Sequence, residues 1–131
     1  MEFYNRHLHN IKSKDDPYYA CFKIMNGAEL KEFINNAMHA DGLYYDANLN
    51  FIDVSGIQDF SRVFCGDNDE HYASYFHGDI SLWDVSHAYN MIKLFYYSEF
   101  TEDVSQWQIP KDCNVKDMFD EDTYIPDEYL P

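Results

Sequence analysis

The chain has 131 residues, of which 24 are Asp or Glu and 9 are Lys or Arg, giving a formal charge of -15. Its 46% apolar content, with 12 Tyr and 10 Phe, suits one folded domain and argues against an acidic disordered tail. A field this negative argues against direct binding to nucleic acid or to an anionic membrane, and permits a basic partner.

Lys12 to Pro17 reads as a polar turn and Tyr18 to Met25 as a strand. Leu30, Phe33, Ile34, Ala37 and Met38 then follow the i, i+3, i+4, i+7, i+8 spacing of an amphipathic helix, predicted over residues 27–41. Asn26 is placed to cap it, with Glu29 three residues on, and Gly42 suits its far end. Strand and helix together form an N-terminal cap within residues 1–47.

Residues 48–119 repeat. Asp79-Ile80-Ser81-Leu82-Trp83-Asp84-Val85-Ser86 recurs 24 positions later as Asp103-Val104-Ser105-Gln106-Trp107-Gln108-Ile109-Pro110. Asn90-Met91-Ile92-Lys93-Leu94-Phe95 recurs at the same offset as Asn114-Val115-Lys116-Asp117-Met118-Phe119. An earlier copy, Asn48 to Ser55 and then Phe60 to Phe64, precedes the second by 31 positions, so an insertion of seven falls near residues 65–74. The front of each unit alternates in polarity, as a short strand does. In the back, Ala88, Met91, Leu94 and Phe95 have the spacing of a turn or two of helix, as do Ile57, Phe60, Val63 and Phe64, then Val115, Met118 and Phe119. The predicted fold is therefore an α/β repeat solenoid, leucine-rich-repeat-like, with three strand-plus-short-helix units sharing one core. Residues 120–131, acidic and marked by Pro126 and Pro131, read as a C-terminal cap or tail.

The strings Ala47 to Ser55, Phe76-His77-Gly78-Asp79-Ile80-Ser81-Leu82-Trp83-Asp84-Val85-Ser86 and Asn90-Met91, preceded by Ala28 to Ile34 and Gly42, resemble the BspA-type bacterial surface-protein repeat. The resemblance covers residues 27–119. It implies a leucine-rich-repeat-like solenoid with a binding role, and neither catalysis nor a particular ligand. Gln108, Ile109 and Pro110 depart from the repeat, as a terminal unit does.

Chemistry-bearing patterns are sparse. Cys21, Cys65 and Cys113 form no CxxC pair and no even disulfide framework, so they read as reduced and mostly buried. With no basic segment and apolar stretch at Met1 to His7, the sequence predicts a cytoplasmic protein of a bacterial host cell. His7 and His9 read as loop residues rather than metal ligands. Asp67-Asn68-Asp69-Glu70-His71 resembles half of a calcium loop but lacks its glycine and closing glutamate, and reads as a solvated acidic loop. Asp53, Asp79, Asp84 and Asp103 recur at fixed repeat positions, where aspartates bond the backbone of a turn. Cys65 with His71 or His77 is the remaining nucleophile candidate, against the simpler reading of a buried repeat cysteine. The sequence predicts a non-enzyme without cofactor or metal.

Charge is uneven: residues 1–52 carry -2 and residues 53–131 carry -13. The acids cluster where repeats connect, together with tyrosines. The candidate partner-binding residues are Asp67, Asp69, Glu70 and Tyr72; Tyr96, Tyr97, Glu99 and Glu102; and Asp117, Asp120, Glu121 and Asp122. Stacked repeats are expected to gather them toward one edge. Carboxylates along an elongated solenoid would imitate duplex DNA, which presents one charge per about 1.7 Å of axis. The expected function is a small acidic inhibitor that blocks the basic groove of a nucleic-acid-binding protein. In size and composition the chain is similar to phage and mobile-element anti-CRISPR and anti-restriction proteins. The alternative is a repeat-family adhesion or scaffold protein whose partner is not basic.

Overall fold

The computed structural model describes residues 11–39, 45–66 and 72–119. Among them regular structure is confined to two short strands, β1 (Phe22–Lys23) and β2 (Ile52–Asp53), one helix, α1 (Gly27–His39), and a 3₁₀ turn at Tyr72–Tyr75. β1 and β2 pair in parallel, Phe22 opposite Ile52. Further parallel bridges join Asn48 to Asp79, Asp59 to Asn90 and Asn90 to Asn114. These bridged residues stand 31, 31 and 24 positions apart, which are the offsets of the sequence repeat, so each copy lies beside the next in register.

The fronts of the units are mostly turns. Asp53, Asp79 and Asp84 each accept, through Oδ1, the N–H and hydroxyl of the serine two residues on, and Asp103 accepts the N–H of Ser105. These Asx turns are the role the repeated aspartates were expected to have. Ile80, Leu82, Trp83 and Val85 are all buried, so the second unit's front packs on both faces.

The backs of the units differ from expectation. The apolar residues predicted to face inward do so, but no helix carries them. Phe60, Arg62 and Phe64 donate their N–H groups to the carbonyls of Asn90, Ile92 and Leu94, and Met91, Lys93 and Phe95 donate to Asn114, Lys116 and Met118. Every second donor thus goes to the neighbouring unit, as in a parallel ladder, and is lost to any i→i−4 bond. Intervening donors close four-residue turns, Val63 to Phe60 and Leu94 to Met91. Arg62, Lys93 and Asp117, at the same repeat position, have φ of 59°, 55° and 52°, a left-handed kink incompatible with a helix.

Register turns the repeat into columns of rings. Phe64, Phe95 and Phe119 stack at centroid distances of 5.4 and 5.1 Å. Trp83 and Trp107 stack at 6.2 Å, and Phe76 and Phe100 also at 6.2 Å. The Trp83 indole N–H donates to the Leu49 carbonyl and that of Trp107 to Ile80, each at 2.9 Å.

α1 closes the first unit. The Asn26 side chain accepts the Glu29 N–H at 2.9 Å, Leu30, Ile34, Ala37 and Met38 are buried, and Lys31 Nζ donates to the Arg62 carbonyl. Gly27 lies so close to the Asp59 carbonyl that a Cβ would collide with it. Gly42, expected to end the helix, lies outside the described residues. The expected strand Tyr18–Met25 shrinks to β1, because the chain from Ser13 to Ala20 runs in turns that end in a left-handed Ala20 (φ 51°). That segment is a strap. Ile11 is fully buried and its carbonyl accepts from Asn48 Nδ2 at 2.8 Å and Asn50 Nδ2 at 3.3 Å. The Tyr19 hydroxyl donates to the Leu82 carbonyl at 2.9 Å.

Candidate partner-binding surface

Every described Asp and Glu is exposed or half-buried; none enters the core. Their charge therefore stays at the surface even where one carboxylate oxygen serves a turn.

The structure brings some candidate residues together. The Gly66 N–H donates to the Tyr96 carbonyl, the Glu99 N–H donates to the Ser74 carbonyl, and a Cβ on Gly66 would meet the Tyr97 carbonyl and Ser74. Tyr96, Tyr97, Glu99 and the backbone of the Tyr72–Tyr75 turn thus share one corner. The rings of Tyr96 and Tyr97 lie 4.4 Å apart, Lys93 Nζ sits 4.9 Å from the Tyr96 ring centre, and Tyr97 is 59% exposed. The left-handed backbone of Tyr97 (φ 54°) helps turn it outward. Glu102 is exposed on the stretch leading to Asp103. Asp117 sits apart, in the column of Arg62 and Lys93 at the outer face of the third unit. Asp67, Asp69, Glu70, Asp120, Glu121 and Asp122 lie outside the described residues, as do His7, His9 and His71.

The sequence reading missed a second polar region. Lys14 from the strap, Trp83, Asp84, Val85, Ser86, Gln106 and Gln108 line a shallow cleft of about 190 Å³. The Asp84 carboxyl is held below the usual carboxylate range by its bonds from the Ser86 hydroxyl and N–H, with Lys14 and His87 adding to the effect. Tyr19 nearby is pushed upward by burial and then by Asp84 and Asp53. Nothing local marks Lys14 as a neighbour of Asp84, since the strap is placed by contacts far along the chain. The exposed Tyr45 and Tyr75, whose rings lie 5.8 Å apart, and Tyr89, 57% exposed, were also not among the candidate residues.

Of the cysteines, Cys65 and Cys113 are buried and Cys21 is exposed, and no two of them form a disulfide. Burial, then Asp112, pushes the Cys113 thiol up, away from the reactive thiolate. His77 is exposed while Cys65 is 1% exposed. Among the described residues no three His, Cys, Asp or Glu are grouped to hold a metal, and no helix is long and apolar enough to cross a membrane.

In-register copies with shared ring columns, a closing helix and an acidic exterior define a repeat-built protein. The chain belongs to the family described as Mycoplasma protein of unknown function, DUF285, whose model matches residues 29–128. No curated protein and no solved structure matches the chain.

Proposed function

We propose that this chain is a non-catalytic protein-binding module, a short leucine-rich-repeat-like solenoid of the BspA type, that acts in a bacterial cytoplasm on a basic protein. The observation that carries this reading is the uncompensated charge: -15 over 131 residues, with every described carboxylate outside the core. That exceeds the magnitude of about 2–8 that solubility asks of a small domain. The carboxylates steer the partner in, and exposed tyrosines such as Tyr97 anchor it. In its most specific form the partner is a nucleic-acid-binding protein, a nuclease or CRISPR effector, whose basic groove this chain occupies in place of nucleic acid.

Pull-down from a bacterial lysate at low and high salt tests the reading. A basic nucleic-acid-binding protein recovered at low salt and competed off by DNA is expected. Reversing Asp120, Glu121 and Asp122 to Lys is expected to slow association and flatten its salt dependence. A partner that survives high salt and ignores DNA would overturn the electrostatic reading. It would favour a scaffold or adhesion role, for which the paired Tyr45 and Tyr75 rings and the exposed Tyr89 supply uncharged contact area.

A further inference from the structure

No asparagine of the chain other than Asn26 is followed by a glycine. In such a pair the glycine nitrogen reaches the asparagine Cγ readily, because no Cβ on the second residue holds the two apart. Asn26-Gly27 stands at the start of α1, with Asn26 exposed and capping the helix. Three features favour attack. Oδ1 of Asn26 accepts the Glu29 N–H at 2.9 Å, which polarises Cγ and aims a donor at the oxygen on which charge develops. Among the described residues the Gly27 N–H meets no acceptor, so no hydrogen bond holds its proton. The positive end of the helix dipole favours the negative charge that forms as the nitrogen gives that proton up. A cleft of about 360 Å³, lined by Asn26, Gly27, Ala28, Lys31, Asp59 and Ser61, brings water to the pair.

We propose that Asn26 is a self-modifying site, and that its conversion to isoaspartate unlatches α1 from the first unit. The Gly27 nitrogen bonds to Asn26 Cγ, the Cγ–Nδ2 bond breaks, and ammonia leaves with the Gly27 proton. Water then opens the cyclic imide. Addition at Cγ gives ordinary aspartate. Addition at the former main-chain carbonyl gives isoaspartate, in which the chain runs through Cγ and gains one backbone carbon.

The two products differ in consequence. Aspartate caps a helix as well as asparagine does, so it leaves α1 in place. Isoaspartate displaces both acceptors of the cap at once: the main-chain carbonyl that takes the Leu30 N–H at 3.1 Å, and Oδ1. The added carbon finds no slack on the helix side, where Gly27 is pressed against the Asp59 carbonyl and Lys31, one turn on, donates to the Arg62 carbonyl. On the other side Ile24 is buried, with its N–H on the Asp53 carbonyl. Held at both ends, the segment absorbs the carbon by giving up the first turn of α1. The site lies beyond the proposed function and needs no partner.

Incubation of the folded whole chain at mildly alkaline pH tests the site, read by peptide mapping in a mass spectrometer and by enzymatic methylation of isoaspartate. Asn26 is expected to lose its amide at least tenfold faster than any other asparagine, with isoaspartate the larger product. Loss no faster than at Asn90 or Asn114 would overturn the proposal. The purified isoaspartate form is expected to melt about 3–6 °C lower, as the loss of one cap implies. Its Glu29 and Leu30 amides are expected to exchange at least tenfold faster. Asn26→Ser keeps a cap and has no amide to lose, so it should pass through the incubation without either change. Asn26→Asp should melt with the fresh protein. Unaltered melting and exchange in the isoaspartate form would overturn the unlatching. So would Asn26→Asp melting as low as that form, because the effect would then belong to the new charge and not to the lengthened backbone.

Discussion

Asn50 is the most informative single position for the packing argument. Its side chain is fully buried; Oδ1 accepts the Leu82 N–H at 3.0 Å and Nδ2 donates to the Ile11 carbonyl at 3.3 Å. One residue therefore ties the strap to two units. In Asn50→Ala the Leu82 N–H keeps no side-chain acceptor, and a buried unsatisfied donor costs about 1–3 kcal/mol. The Ile11 carbonyl keeps Asn48 Nδ2 at 2.8 Å, so it adds no second orphan. The void left by truncation adds up to about 1 kcal/mol. The expected loss is about 1–4 kcal/mol, a large fraction of the roughly 5–15 kcal/mol that holds a typical domain folded. Asn50→Asp keeps the acceptor for Leu82 but sets a carboxylate oxygen against the Ile11 carbonyl, and is expected to cost at least as much. Urea unfolding followed by circular dichroism measures both. A loss below about 0.5 kcal/mol for the alanine variant would refute the reasoning, because it would mean that Leu82 finds another acceptor at no cost.

Four further outcomes are expected. Asp117→Gly relieves a left-handed backbone that costs an L-residue about 1–2 kcal/mol, less the entropy that glycine adds to the unfolded chain, so the melting temperature should rise by a few degrees; a fall would show that the φ of 52° carries no strain. Trp83→Phe keeps a ring in the column but removes the donor to Leu49, and should cost about 1–2 kcal/mol in urea unfolding and abolish the exciton signal of the Trp83–Trp107 stack in circular dichroism; an unchanged spectrum would contradict the stack. Under native conditions a thiol reagent should label Cys21 quickly and Cys65 and Cys113 only on unfolding, as mass spectrometry of a time course will read. Asp84 has a lowered folded pKa, so its contribution to stability is present above the unfolded value near 3.9 and is lost as pH falls through the folded value. Ser86→Ala should move that loss to higher pH, and an unshifted acid-unfolding curve would count against the Ser86 bonds as its cause.

Much of the architecture was legible as repetition. The offsets of 24 and 31 found in the sequence are the offsets of the backbone bridges. The predicted inward residues Phe60, Phe64, Met91 and Leu94 are buried, and the repeated aspartates close turns. Helices in the backs of the units were misread because apolar spacing alone cannot tell a helix from a kinked ladder. The deciding feature is a left-handed backbone at Arg62, Lys93 and Asp117, none of them a glycine that would announce it. Helix and N-cap followed local rules: α1 begins at the predicted Gly27, and Asn26 caps it. The strap did not, since Ile11 and Tyr19 are held by residues 37 to 63 positions away. For the candidate surface, sequence located the acids, and the structure gathers Tyr96, Tyr97 and Glu99 at one corner while setting Asp117 in another column.

The unequal offsets have a consequence for how such chains diversify. Gly66 is pinned by its bond to Tyr96, and His77 by its bond to the Tyr45 carbonyl. The seven extra residues of the first interval enter between those two fixed points, and the ring columns on either side keep their order. Length is therefore a free variable at the seam between units, while inside a unit a single inserted residue would rotate every ring out of its column. New surface can be written at the seam without renegotiating the core.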